Sequence, residues 1–244
     1  MKTLAIIQAR TGSSRLPGKV LERAGGRTLL AHIVERAQRA RGLDEVIVAT
    51  TVQPADDAVA DEAARLGVAT YRGSELDVLD RYYKAAFAFG GDAIVRLTAD
   101  CPLLDPTIVS LVLERYRSAP PVDYVSSGFG FPEGYGAEVF NSDVLATMWR
   151  EATQPFEREH VTPFVLNHPE RFRIAMVDPD VDASWCRVTV DEAADLRLVQ
   201  HLVDQLEPLD PTFGFETVVR YLSSHPEIAA INARYLKDRA ARGG

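Results

Sequence analysis

An α/β fold is predicted, with a mixed, mostly parallel sheet and helices on both faces. Three observations predict it. Short, nearly continuous apolar runs (LAII, VIVA, AIVRL) recur through the first hundred residues, as expected of strands buried on both faces. Between them lie amphipathic stretches with apolar residues at helical spacing. The chain has 244 residues, 46% hydrophobic and 25% charged. A chain of that size is long enough for one core that buries roughly 70–75% of the unfolded surface.

The elements follow in order. Thr3–Gln8 reads as a buried strand. Thr28–Ala40 reads as a helix, with Leu29, Leu30, Ile33, Val34 and Ala37 on one face and Glu35, Arg36 and Arg39 elsewhere. Glu45–Thr50 is a strand, Pro54–Leu66 a helix stopped by Gly67, and Val68–Tyr71 a strand. Val78–Phe89 is a helix ended by Gly90 and Gly91, and Asp92–Leu97 a strand. Asp105 suits the N-cap of a helix starting at Pro106. In the second half, Asp123–Ser127 is a strand and Gly128–Gly136 a loop rich in glycine and aromatics. Ala137–Phe140 is a further strand, open to antiparallel pairing. Asn141–Ala152 is a helix capped by Asn141 or Ser142. Arg187–Val190 reads as a strand leading into a helix from Asp191. The last forty residues read as helical pieces split at Gly214 and Pro226. No repeat or linker interrupts the chain, so a single domain over 1–244 is expected.

The net charge of −8 argues against a nucleic-acid partner, because binding a phosphate backbone needs a basic face. Two isolated cysteines, Cys101 and Cys186, make neither a disulfide framework nor a CxxC metal site. No signal-like segment precedes the first strand, and no apolar run approaches the ~20 residues that span a bilayer. A cytoplasmic protein without membrane contact is expected.

The functional signal is concentrated after the first strand, in QARTGSSRLPGKVL. Gly12 and Gly18 permit close backbone approach, and consecutive N–H groups make an anion nest. Arg15 adds a planar fork and Lys19 a point charge. Ligands of open parallel sheets bind beyond the carboxyl ends of the strands, which is where this loop sits. The site suits a polyphosphate. It is neither GxxxxGK[ST] nor GxGxxG, since Gly12 and Lys19 are seven apart and Val20 follows the lysine. A solvated turn with surface cations is the alternative.

This stretch closely resembles the signature of the cytidylyltransferase family of sugar nucleotidyltransferases. It is nearest the branch of spore coat polysaccharide biosynthesis protein F. DVLDRYYKA (Asp77–Ala85), RLTADCPLLDP (Arg96–Pro106), REHVTP (Arg158–Pro163) and TVDEAADL (Thr189–Leu196) resemble that branch too, in the same order. The resemblance implies a Rossmann-like nucleotide-diphospho-sugar transferase fold (GT-A-like). Residues 1–105 would be the nucleotide-binding half, and 106–244 the acceptor-binding and dimerisation half. It implies attack of a sugar hydroxyl on the α-phosphorus of a nucleoside triphosphate, CTP favoured, with loss of pyrophosphate. Arg15, Lys19 and Asp100 are the expected catalytic residues. Gln8, Ala9, Arg10, Gly12, Ser13, Ser14 and Arg81 are expected to bind nucleotide. In the family, aspartates at the positions of Asp100 and Asp191 hold Mg²⁺, a hard ion that takes one or two carboxylates plus phosphate oxygens and water. Each has a structural alternative as a cap, Asp191 for a helix and Asp100 for a turn. Glu138, Arg158 and His160 are expected at the acceptor sugar, with surface pairing the alternative for Arg158 and a helix histidine for His160. Ala99-Asp100-Cys101-Pro102 replaces the Gly-Asp-Glu-Pro of the octulosonate enzymes, which leaves the acceptor open. Two other functions compete. A glycosyltransferase using a nucleotide-sugar usually carries an Asp-x-Asp motif; Asp178–Asp180 and Asp180–Asp182 match it but lie in a segment that reads as a loop before Trp185, and the Arg15/Lys19 loop favours a triphosphate. The other is a non-catalytic nucleotide-binding protein.

Overall fold

The structure is a computed structural model that describes residues 1–236; the expected helical run beyond that point lies outside the described residues. The strands are β1 (Thr3–Gln8), β2 (Arg23–Ala24), β3 (Arg27–Thr28), β4 (Glu45–Thr51), β5 (Ala69–Gly73), β6 (Ala93–Thr98), β7 (Tyr124–Ser127), β8 (Glu138–Asn141) and β9 (Ile174–Val177). The helices are α1 (Leu29–Gln38), α2 (Asp57–Arg65), α3 (Val78–Phe89), α4 (Pro106–Arg117), α5 (Ser142–Glu151), α6 (Pro155–His160), α7 (Pro163–Leu166), α8 (Ala193–Leu206), α9 (Phe215–Ser224) and α10 (Pro226–Ala229). Seven strands form one sheet in the order β5-β4-β1-β6-β8-β7-β9. β5, β4, β1 and β6 are parallel, β8 is antiparallel to both neighbours, and β9 is parallel to β7.

β1 explains the layering. Its side chains alternate across the sheet. Leu4 and Ile6 join Leu79, Tyr82 and Met148 of α3 and α5, while Ala5 and Ile7 join Leu29, Ile33 and Leu202 of α1 and α8. Leu4 through Ile7 are fully buried. Each large aliphatic there contributes about 1.5–3 kcal/mol by burial, so this strand has no solvent face on which to place a polar residue. Tyr82 pins the functional ends of two strands, its hydroxyl lying 3.0 Å from the Ile6 carbonyl and 2.9 Å from that of Leu97.

The mixed sheet, the helices on both faces and the α3 span match expectation. Four details differ. Helix α2 starts at Asp57 after a 3₁₀ turn over Pro54–Asp56, because the Asp56 carboxylate is turned back to the hydroxyls of Thr11 and Thr51. Strand β9 was not foreseen; it is a half-exposed edge of only four residues, IAMV, and a run that short carries no periodicity of its own. Arg187–Val190 is not a strand. Its Val188 and Thr189 N–H groups both donate to the Glu133 carbonyl, and that of Val190 donates to the Asp100 carbonyl at 2.7 Å. The segment is threaded between two loops, so its apolar alternation reflects burial without a ladder. Helix α8 starts at Ala193, with Glu192 at its N-cap, so Asp191 is not the cap.

That threading makes one glycine necessary. Gly134 has φ +120°, and a Cβ there would lie 2.5 Å from the Thr189 nitrogen and 2.7 Å from the Val188 carbonyl carbon. Gly134→Ala is expected to destabilise by about 2–5 kcal/mol, combining backbone strain with overpacking. A urea midpoint within error of the parent's would contradict this.

Candidate active site

The carboxyl ends of β1, β4 and β6 lie side by side, and the chain leaving β1 wraps across them. Thr11 anchors this loop. Its N–H and hydroxyl each donate to Asp56 Oδ1 at 2.7 Å. Its carbonyl accepts the N–H groups of Ser13 and Gly18 at 2.8 Å. Gly18, at φ +73°, closes the turn. The N–H groups of Gly12, Ser14 and Arg15 have no acceptor among the described residues. Unpaired, neighbouring N–H groups of this kind form an anion nest.

Burial alone would raise the Asp56 pKa, but hydrogen bonds from Thr51 and Thr11 outweigh it and hold the carboxyl below its usual range. A group depressed in the folded state stabilises above its unfolded pKa of about 4, and that contribution is lost as pH falls through the folded value. Stability should therefore decline below about pH 4. Asp56→Asn should flatten that acid limb and cost about 1–3 kcal/mol at neutral pH. Urea unfolding at stepped pH checks both, and an unchanged acid limb would contradict the assignment.

Beside the loop, two carboxylates converge on one cation. Lys19, with a side chain 11% exposed, donates through Nζ to the Val190 carbonyl at 2.6 Å and to Asp191 Oδ1 at 2.7 Å. The same Nζ is 3.5 Å from Asp100 Oδ2. Arg15 reaches Asp191 Oδ1 at 3.1 Å. Burial would push Asp191 up, but Lys19, Arg187 and Arg15 together hold it down. No group of three or more His, Cys, Asp or Glu side chains is placed to hold a metal among the described residues. Two hard carboxylate oxygens around one cation position do fit Mg²⁺, which completes its shell with phosphate and water.

Sequence reasoning missed the residue that orients Asp191. Arg187, 2% exposed, bonds Glu133 at 2.5 Å, Asp191 Oδ2 at 2.6 Å and Asp195 Oδ1 at 3.1 Å. Asp195 is fully buried. It also accepts the N–H groups of Asp191 and Glu192 at 2.9 Å and the Asn232 amide at 2.7 Å. Asp191 is thereby divided, with Oδ2 held by Arg187 and Oδ1 turned to Lys19. The available signal was an arginine inside an apolar run.

Gln8, Ala9, Arg10, Gly12, Ser13, Ser14, Arg15, Lys19, Arg81, Asp100, His160 and Asp191 line one cleft of about 410 Å³. Arg81 is almost fully buried and donates to the Ser74 carbonyl at 2.5 Å; burial lowers its pKa. An adjoining cleft of about 580 Å³ is walled by the 127–136 loop, Glu138, Thr162 and Asn167. The two clefts share Arg15, Arg96, Thr98, Asp100, His160 and Asp191. His160 packs against Phe156, ring centroids 4.4 Å apart. It precedes a γ-turn in which Val161 takes φ +73° and Thr162 N–H donates to the His160 carbonyl at 2.9 Å. Such a turn is strained for a β-branched residue and is held by its surroundings.

Two expected acceptor residues are held by protein partners. Arg158 lines neither cleft. Its guanidinium holds both Asp77 oxygens at 3.0 Å and the Trp149 carbonyl at 2.7 Å, tying α6 to the start of α3. Glu138 does line the second cleft, but its oxygens are engaged by Arg96 on one side and by Tyr124 and Thr162 hydroxyls on the other. It acts first on Arg96, a cation at the junction of the clefts that sequence reasoning did not single out. Burial would lower the Arg96 pKa, but the Glu138 charge raises it. Asp178 and Asp180 line a separate surface cavity, away from Lys19. Cys101 is buried, and burial with the neighbouring Asp100 charge pushes its thiol up, so it is an apolar filler.

Residues 4–207 match the protein family described as Cytidylyltransferase. The chain belongs to that family. This cytidylyltransferase-family chain is 31% identical to the spore coat polysaccharide biosynthesis protein SpsF of Bacillus subtilis over 234 residues, 93% of this chain and 96% of that one. It is 30% identical to an 8-amino-3,8-dideoxy-manno-octulosonate cytidylyltransferase of Shewanella amazonensis over 171 residues, 65% of this chain and 69% of that one. A solved cytidylyltransferase of Leptospira borgpetersenii superposes with a TM-score of 0.88 at 32% identity, covering 94% of this chain and 97% of that one. The family makes the chain a nucleotidyltransferase, with the nucleotide-sugar transferase type of fold. Among the described residues, no helix is long and apolar enough to cross a membrane.

Proposed function

We propose that this cytidylyltransferase transfers CMP from CTP to a hydroxyl of an acidic sugar, with release of pyrophosphate and with Mg²⁺ as cofactor. The observation that carries the reading is the convergence of Asp100 and Asp191 on Lys19 beside an N–H nest at the strand ends. The nest and Arg10, Arg15 and Lys19 bind the triphosphate and offset the charge that moves onto the leaving pyrophosphate, the dominant demand in such transfers. Asp100 and Asp191 would hold Mg²⁺, which when bound adds charge neutralisation on phosphate oxygens. Gln8, Ala9 and Arg81 flank the nucleotide. The sugar enters the second cleft, so that its hydroxyl meets the α-phosphorus near Arg96 and His160. The Glu138 pair fixes Arg96 at that junction. The acidic sugar and a role in surface polysaccharide or glycoconjugate synthesis are supported by the names of the relatives above. We further propose a single domain with a nucleotide half and an acceptor half, a homodimer, and work in the cytoplasm, where CTP is made.

Thermal stabilisation by CTP, UTP, GTP, ATP and TTP, each with and without Mg²⁺, tests the nucleotide. At 100 times its Kd a ligand stabilises by about 2.7 kcal/mol, a shift of several degrees in a domain of this size. A CTP-selective, Mg²⁺-enhanced shift is expected. Stabilisation by nucleotide-sugars and by no triphosphate would instead favour a glycosyltransferase.

A further inference from the structure

We infer that Lys19 and the metal ion occupy the Asp100–Asp191 carboxylate pair by turns, so that metal enters together with the triphosphate and not before it. The inference rests on the reading above only for the identity of the metal ligands. An ammonium has three donors. Those of Lys19 face Val190 O at 2.6 Å, Asp191 Oδ1 at 2.7 Å and Asp100 Oδ2 at 3.5 Å. Two are hydrogen-bonded to protein oxygens and the ammonium also sits at ion-pair distance from Asp100, so it is committed to the carboxylate pair while no phosphate is present.

A metal at this pair needs the same oxygen. Asp191 Oδ2 is already held by Arg187 at 2.6 Å, and that guanidinium is immobilised by Glu133 and Asp195. Oδ1 is the oxygen outside that guanidinium's hold. Mg²⁺ must come to about 2.0–2.1 Å of its ligands, and a second cation held 2.7 Å from the same oxygen would repel it strongly at low dielectric. Arg15 also reaches Oδ1, but its side chain is 53% exposed and can withdraw into solvent. Lys19, at 11%, cannot.

The triphosphate resolves the conflict. It offers anionic oxygens above the nest, within the cleft that Lys19 already lines. The four-carbon stem lets the ammonium swing from carboxylate to phosphate. Asp191 Oδ1 and Asp100 Oδ2 are then free for the metal that accompanies the nucleotide. The exchange is one of ion pairs, and no covalent bond changes. It also reconciles two roles for one residue. Lys19 keeps two half-buried carboxylates neutralised in the free enzyme, where leaving them without a cation would cost stability, and serves the triphosphate in the complex.

The test is Mn²⁺ binding without nucleotide, read by electron paramagnetic resonance of the free ion. Lys19→Met removes the charge at similar length, and Lys19→Gln keeps an amide donor for Val190 O. Each is expected to bind Mn²⁺ alone about tenfold or more tighter than the parent, and adding Asp191→Asn is expected to erase the gain. Equal or weaker Mn²⁺ binding by the variants overturns the inference. Should neither variant fold, the parent decides. Uptake of one Mn²⁺ per chain at micromolar concentration without nucleotide overturns the inference, and its absence supports it. No arm reads CTP turnover, so failure here leaves the transferase reading standing. A parent that does not bind CTP would sink that reading and leave the metal comparison intact.

Discussion

Asp100→Asn should abolish useful turnover while leaving the fold intact. Loss of one preorganised charge at a phosphoryl centre typically costs about 10²–10³-fold in kcat. The fold should persist because the Asp100 side chain is 30% exposed and its ion pair with Lys19 spans 3.5 Å. Its structural work is done by the backbone, whose carbonyl accepts Val190 N–H at 2.7 Å and the Thr189 hydroxyl at 3.1 Å. Those bonds survive the substitution. Initial rates of pyrophosphate release and a urea midpoint separate the two effects. Near-parental activity would mean that the phosphoryl centre lies elsewhere.

Arg187→Met should act in the opposite manner, through stability first. It removes one cation from among three carboxylates, of which Asp195 is fully buried. Breaking a buried pair by deleting one partner costs about 3–5 kcal/mol. For a domain of this size that corresponds to a fall in Tm of roughly 6–20 °C. Asp191 would also lose the partner that turns its Oδ1 to the cleft, so the folded fraction should turn over poorly. A Tm within about 2 °C of the parent, less than 1 kcal/mol in a domain of this size, would contradict the network's importance.

What could be read from the sequence was what is encoded locally. The buried strand before Gln8, the loop after it and the α3 helix each carry their signal within a dozen neighbouring residues, and each is placed as expected. Asp105 was legible as a cap for the same reason, and its carboxylate accepts Thr107 N–H at 2.7 Å. Residues whose partners come from distant segments were not legible. Arg187 looks like a strand residue because burial on both sides produces the same apolar neighbours whether or not a ladder forms. Arg96 sits inside β6, where an arginine gives no hint of the Glu138 carboxylate waiting on β8. Arg158 and His160 share a motif two residues apart, yet the turn of α6 sends one to Asp77 and the other to the clefts. Motif membership alone does not tell which way a helical side chain points.

The measurement that bears most directly on the central claim is a Mg²⁺-dependent pyrophosphate-release assay with CTP and a panel of acidic sugars, including 3-deoxy-manno-octulosonate and its 8-amino analogue. The account predicts pyrophosphate release matched by a CMP-sugar product, absent without metal and lost in Asp100→Asn. No release with any acidic sugar, together with consumption of a nucleotide-sugar by the same protein, would contradict it.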